Sequence, residues 1–223
     1  MTDVVRHYSA LLREHGDDPR AVQWADRSTQ DERFRVLTEP LRAMRGRSVM
    51  DVGCGLAHLA EYLAKNGLEC DYSGIDINPD FIDACRKKLP ASRFELLDIS
   101  GTVPGWKSDL VVCSGLFNNP VPDPQALLQR SLRNMFAVTR QAMSFNLMSS
   151  YVDFIDPALV YFHPEDVFRF CKEHLSPLVT VRHDYQVKPG VVPFEFTVYV
   201  LRTSGTCRPR MTEGPVTGIA GRE

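Results

Sequence analysis

Three acids, Asp51, Asp76 and Asp98, fall at the C-terminal ends of three apolar segments, and the first is followed at once by Gly53-Cys54-Gly55. The glycines remove side chains where backbone must approach a ligand. A helical pattern starts behind them, with Leu56, Leu59, Ala60, Leu63 and Ala64 on one face, and its N-terminus offers unpaired N–H groups. Strand, glycine turn and helix end together form a cradle for a nucleotide-like ligand. Asp76 lies about 20 residues past the turn, the spacing at which an acid meets a ribose diol, because a carboxylate accepts from both hydroxyls. A dinucleotide fingerprint would need a third glycine where this chain has His58, and the charge of Asp51 would oppose a pyrophosphate. Asp51 suits a cationic or amine-bearing ligand instead.

The elements that must hold these residues alternate strand and helix. Apolar strands are expected at 49–52, 72–77, 93–97, 109–114 and 141–147, with helices after the glycine turn, after Asn78-Pro79 and after Asp123-Pro124. Gly67 sits where a glycine ends the first of these helices. His163-Pro164 opens a further helix, with His163 read as its cap, and two strands at about 178–185 and 194–202 close the chain. The short loop through Lys188-Pro189-Gly190 predicts an antiparallel final pair on an otherwise parallel sheet. Ahead of the sheet, residues 3–15 predict a helix. Thr29-Gln30-Asp31-Glu32 reads as the capping box of a second one, kinked or split at Pro40. The expected organisation is an N-terminal helical lid over 1–46, an α/β domain over 47–202, and a disordered tail over 203–223.

Composition sets bounds. The chain has 223 residues, enough for one sizeable core, with 43% hydrophobic and 24% charged residues. A net charge of −2 and a pI near 6.3 disfavour a nucleic-acid partner and favour a small-molecule substrate. No apolar run approaches the roughly 20 residues of a membrane span, and no signal-peptide pattern opens the chain, so a cytoplasmic location is expected, as monomer or homodimer. The six cysteines form no Cys-x-x-Cys pair and read as small buried hydrophobes, so neither metal nor disulfide is expected.

With Asp51-Val-Gly53-Cys-Gly55, Asp76 ending the second strand, Leu97-Asp98-Ile99 after the third and Asp109–Ser114 as the fourth, residues 47–202 resemble class I S-adenosylmethionine-dependent methyltransferases of the small bacterial single-domain type. The resemblance implies a three-layer Rossmann-like sandwich: a seven-stranded, mostly parallel sheet with the last strand antiparallel. It implies S-adenosylmethionine as cofactor, with Asp51 and the backbone of Gly53, Cys54 and Gly55 by its methionine part. Asp76 would take the ribose hydroxyls, Ile77 would pack on the adenine, Asp98 and Ile99 would hold its edge, and Ser114 and Gly115 would floor the sulfonium. Ala57 replaces a third family glycine, a departure expected to cost little. In the lid, Trp24 could cover the cofactor and Arg33 could pair with its carboxylate; a packing tryptophan and a solvated arginine remain open.

Methyl transfer needs acceptor, methyl and sulfur in line, and a base only if the acceptor keeps its proton. The acceptor side should therefore lie beyond the fourth and fifth strands. Asn118 could orient an acceptor there, and Tyr151, His163 and His183 are the candidate bases, with His183 read rather as structural. The Asp/Asn-Pro-Pro-aromatic motif of amino-group nucleic-acid methyltransferases is absent. The expected activity is methylation of a small molecule, plausibly in secondary metabolite biosynthesis. An RNA or protein methyltransferase, or a non-catalytic cofactor-binding module of the same fold, is the alternative.

Overall fold

The computed structural model describes residues 2–24, 26–44 and 47–203. Seven strands form one sheet: β1 (Ser48–Val52), β2 (Asp71–Asp76), β3 (Arg93–Leu96), β4 (Ser108–Cys113), β5 (Thr139–Met148), β6 (Val179–Arg182) and β7 (Glu195–Leu201). Their spatial order is β3-β2-β1-β4-β5-β7-β6. Neighbours from β3 through β5 are parallel, while β7 runs antiparallel to both β5 and β6, as the short loop before it predicts. The helices are α1 (Thr2–His15), α2 (Arg27–Leu37), α3 (His58–Lys65), α4 (Pro79–Lys88), α5 (Pro124–Ala137) and α6 (Pro164–His174).

Alternation along the central strands sorts side chains onto two faces. Met50, Val52, Val111, Cys113, Met143 and Phe145 pack with Leu128, Leu132 and Met135 of α5 and Val167 and Phe170 of α6. Val49, Leu110, Val112 and Ala142 point the other way, onto Phe34 and Leu37 of α2, Leu59 and Leu63 of α3, and Ile82 and Cys85 of α4. The result is three layers with the sheet in the middle and its strand ends free to carry a site.

Local chemistry sets the element ends. Asn78 accepts from the Asp80 amide, and Asp123 from that of Ala126, at 2.9 Å each, starting α4 and α5. Gly67, at φ +66°, closes α3: its amide bonds to the Ala64 carbonyl at 3.2 Å and that of Leu68 to Leu63 at 2.9 Å. One expectation is corrected. The cap of α2 is Asp26, which accepts from the Thr29 amide at 2.8 Å, so no capping box starts at Thr29. Pro40 splits the helical run: α2 ends at Leu37, and Glu39–Ala43 forms a separate short 3₁₀ helix with the proline in its first turn. His163 occupies the N-cap position of α6, but its side chain makes no capping bond. Its Nδ1 pairs with the Ser150 hydroxyl at 2.9 Å. The tail expectation lies, apart from Thr203, outside the described residues.

Candidate functional site

The carboxyl ends of β1, β2 and β4, together with the residues that follow β3, border a cavity of about 520 Å³. That is the size class of small-molecule sites, at the place where open α/β sheets bind ligands. Val4, Val5 and Tyr8 of α1, Val22 and Trp24 of the following segment, and Gln30 and Phe34 of α2 wall it from above.

Asp51 and Asp76 are both buried in this wall. Asp51 accepts from the Tyr72 hydroxyl at 2.7 Å. Burial drives its acid up to about 7, the Tyr72 bond pulls the other way, and the charge of Asp76 adds to the rise. Asp76 accepts from the Gly55 and Asn78 amides, each at 2.9 Å. Burial raises its pKa as well, and those backbone donors oppose the rise. The Asp76 carboxylate thus ties the glycine turn to the end of β2 while retaining lone pairs for a ligand. Half-buried Asp98 accepts from the Ser100 amide at 2.9 Å, and it lines the cavity with Ile77, Ile99, Ser114 and Gly115.

Gly55 and Gly115 are required by close approach. A Cβ on Gly55 would meet Val22 Cγ1 at 2.8 Å, and one on Gly115 would meet the Trp24 ring at 2.7 Å. Both have positive φ. The segment between α1 and α2 therefore lies directly on the glycine turn and on the residue after β4. Ala57 precedes α3 at φ +56° with no side-chain cap. This left-handed geometry explains why a glycine is favoured there, and it costs an alanine about 1 kcal/mol.

Several expectations about side chains change. Arg33 does not line the cavity. The Arg33 Nε donates to both Glu195 carboxylate oxygens at 2.8 and 3.0 Å, its Nη2 to Oε1 at 2.5 Å, and its Nη1 to the Thr29 carbonyl at 2.9 Å. Buried Glu195 needs a paired cation, and Arg33 is that cation. Trp24 does face the cavity, stacked 4.2 Å from the Arg33 guanidinium. Tyr151, Asn118 and His163 all lie outside the cavity wall. The Ser150 amide bonds to the Phe162 carbonyl at 2.9 Å, which draws the loop after β5 toward α6. There Tyr151 is 59% exposed and donates to Glu165 at 3.0 Å.

Residues not singled out from sequence take their places. Asn119 donates to the Tyr8 hydroxyl at 3.0 Å, and Tyr8 donates to Gln23 at 2.7 Å. Gln30 and His58 meet at 3.3 Å in the wall. Only the inward period of α1 and α2 hinted at Tyr8 and Gln30, since their partners lie far along the chain.

A family model described as a methyltransferase domain matches residues 50–137. The chain is 31% identical over 163 residues to "Putative methyltransferase Rv1506c" of Mycobacterium tuberculosis, covering 70% of this chain and 94% of that protein. The trans-aconitate 2-methyltransferase of Variovorax paradoxus is 30% identical over 107 residues, 47% of this chain, and the chain spans 41% of its length. The N-methyltransferase NodS of Bradyrhizobium japonicum, solved with S-adenosyl-l-homocysteine, shares the fold with a TM-score of 0.62 at 17% identity, over 87% of this chain and 97% of that one. The chain belongs to the class I S-adenosylmethionine-dependent methyltransferases, and S-adenosylmethionine is its cofactor.

Proposed function

We propose that this methyltransferase acts on a small molecule, with residues 1–46 as a lid over the cofactor. The carrying observation is the roof: Trp24 lies on Gly115, and α1 spans the cavity from Val4 to Tyr8. A polymeric acceptor needs an open trough, whereas a small one can be enclosed and kept dry. The trans-aconitate 2-methyltransferases among the relatives are named for a small acid, in keeping with this reading.

The wall fits the cofactor's chemistry. Asp51, a buried acid with one hydroxyl partner, offers a counter-charge to an amino-acid ammonium. Asp76 would accept from the ribose hydroxyls, Ile77 and Ile99 would flank the adenine, and Asp98 would take its amino edge. Bound here, the cofactor supplies an electrophilic methyl group on a sulfonium. The chain's part is to align the acceptor in line with that methyl and to exclude water. Asn119, held by the Tyr8 hydroxyl in the wall, is placed to orient the acceptor. Among the described residues lining the cavity, His58 is the one imidazole, and Asp17 and Gln30 occupy it. Burial raises the Tyr8 phenol pKa. With no unoccupied imidazole in this wall, an acceptor whose lone pair is already available is favoured, as that of a carboxylate is.

Calorimetric titration with S-adenosylmethionine and S-adenosylhomocysteine tests the site. Both should bind well below millimolar, and Asp76→Ala should weaken binding by roughly 1–3 kcal/mol, the cost of leaving polar groups unpaired. Incubation with a metabolite pool, read as a one-methyl mass gain, tests the acceptor class. Methylation of RNA or protein with none on metabolites would overturn the small-molecule reading, as would cofactor binding without any transfer.

A further inference from the structure

Residues 16–24 follow α1 and form the part of the roof that touches the glycine turn. Pro19–Val22 is a short 3₁₀ turn whose bonds stay within the segment. Asp18 accepts from the Arg20 amide at 3.0 Å, the Ala21 amide donates to the Asp18 carbonyl at 2.9 Å, and the Trp24 amide to the Pro19 carbonyl at 3.0 Å. The segment therefore moves as one piece. Val22 rests on Gly55 and Trp24 on Gly115, and both border the cavity.

Two kinds of contact hold this piece to the α/β domain. Ala21 and Val22 pack with Leu56 and Phe81, and such apolar contacts are non-directional. Among the described residues 16–24, Asp17 is the one side chain with a polar bond to the α/β domain. It meets His58 Nε2 of α3 and Lys88 Nζ of α4, at 3.0 Å each. The directed part of the attachment is this single carboxylate.

Lys88 is the node of the attachment. Its ammonium also donates to the Leu56 carbonyl at 3.1 Å and pairs with Glu61 of α3, which takes Arg27 at the start of α2 at 2.9 Å. Both ends of the roof segment are thus gathered on one lysine. Burial opposes the Lys88 charge, but the Glu61 and Asp17 bonds outweigh it and raise the pKa; the Lys88 and His58 bonds likewise outweigh burial and lower that of Asp17. Both groups are charged at neutral pH. The Asp17 side chain is 55% exposed, and a pair open to water contributes little on its own. It holds the roof shut without locking it. α1 stays fastened elsewhere, where Asn78 donates to the Val5 carbonyl and to Ser9, at 3.3 Å each. Between that fastening and Asp17 stands Gly16, at φ +62° with open space around it, a hinge position.

We propose that the Asp17–Lys88 pair is the latch of a cofactor gate. When the pair parts, residues 16–24 swing as one piece about Gly16, lifting Val22 from Gly55 and Trp24 from Gly115. S-adenosylmethionine enters and S-adenosylhomocysteine leaves by that opening. Asp17 and Lys88 are positioning residues, since neither borders the cavity. The latch rests on the reading of residues 1–46 as a lid over the cofactor.

The test is the binding and release rate of labelled S-adenosylhomocysteine, release being chased with excess unlabelled compound. The proteins are the wild type, Asp17→Asn, Lys88→Met and the double variant, with thermal melts of each free protein to verify folding. Asp166→Asn, which breaks a surface pair with Arg169 on α6, is the charge control. Asp17→Asn should release the ligand about three- to tenfold faster with association no slower, and the double variant should add little to Lys88→Met. Raising the salt from about 50 mM to about 500 mM should speed release from the wild type and from Asp166→Asn but leave Asp17→Asn almost unchanged. That salt response separates a latch from a support: a residue that merely shapes the site would slow association when replaced. Slower association by Asp17→Asn, unchanged release, or the same salt response with and without the Asp17 charge would overturn the proposal while leaving the cofactor reading intact. Failure of the wild type to bind S-adenosylhomocysteine would overturn both.

Discussion

Asp51 is a carboxyl buried against one phenol, and its acid is held near 7 rather than at 3.8. A folded-state pKa above the unfolded value means that the native protein keeps a proton the unfolded chain has released. Stability of the free protein therefore falls as pH rises from about 4 to about 7, and Asp76, also raised by burial, contributes with the same sign. A ligand ammonium beside Asp51 reverses the penalty by favouring the charged form. Thermal melts from pH 5 to pH 8 should show the ligand-free protein losing stability toward pH 8, with S-adenosylhomocysteine adding more at pH 8 than at pH 5. Asp51→Asn should flatten both trends and weaken ligand binding; a pH slope unchanged by this substitution would contradict the assignment.

At the scale of elements, α2 is anchored by a buried ion pair rather than by its own helix propensity. Arg33 holds Glu195, Glu195 accepts from Asn146 Nδ2 at 3.0 Å, and Asn146 Oδ1 accepts from the Gly115 amide at 3.0 Å. The chain of contacts runs from α2 through β7 and β5 to the residue under Trp24. Removing one partner strands a buried charge, so Arg33→Met or Glu195→Ala should each cost about 3–5 kcal/mol in urea unfolding. Arg33→Met combined with Glu195→Leu should recover most of that loss, because an apolar pair of similar volume leaves no buried charge unpaired. A double variant as unstable as the singles would show that the network is worth more than its charges. The Arg33 reading from sequence missed this because its partner lies 162 positions away, on the last strand.

Over the whole molecule, the cavity is built from segments that meet only on folding: α1, the segment at Val22–Trp24, α2, the glycine turn, the ends of β2 and β4, and residues 97–100. A ligand that touches them all binds the native state and not the unfolded chain. Saturation with S-adenosylhomocysteine at about a hundredfold over its Kd should add about 2.7 kcal/mol and raise the melting temperature by roughly 5–10 °C, measurable by calorimetry. A melting temperature indifferent to the ligand would argue against one enclosed site.

What the sequence alone determined is the set of features carried by local chemistry. The Gly53–Gly55 turn, the acids at the strand ends, the Asn78 and Asp123 caps, the Gly67 helix stop and the antiparallel final pair all depend on neighbours a few residues apart, through side-chain periodicity, capping and turn geometry. Tertiary structure alone decided where the side chains with distant partners went. Arg33 went to Glu195, the loop carrying Tyr151 went to α6, and Gln30 and His58 came together from 28 positions apart. A buried charge or amide must find its complement wherever the fold places it, and no spacing within one segment encodes that partner.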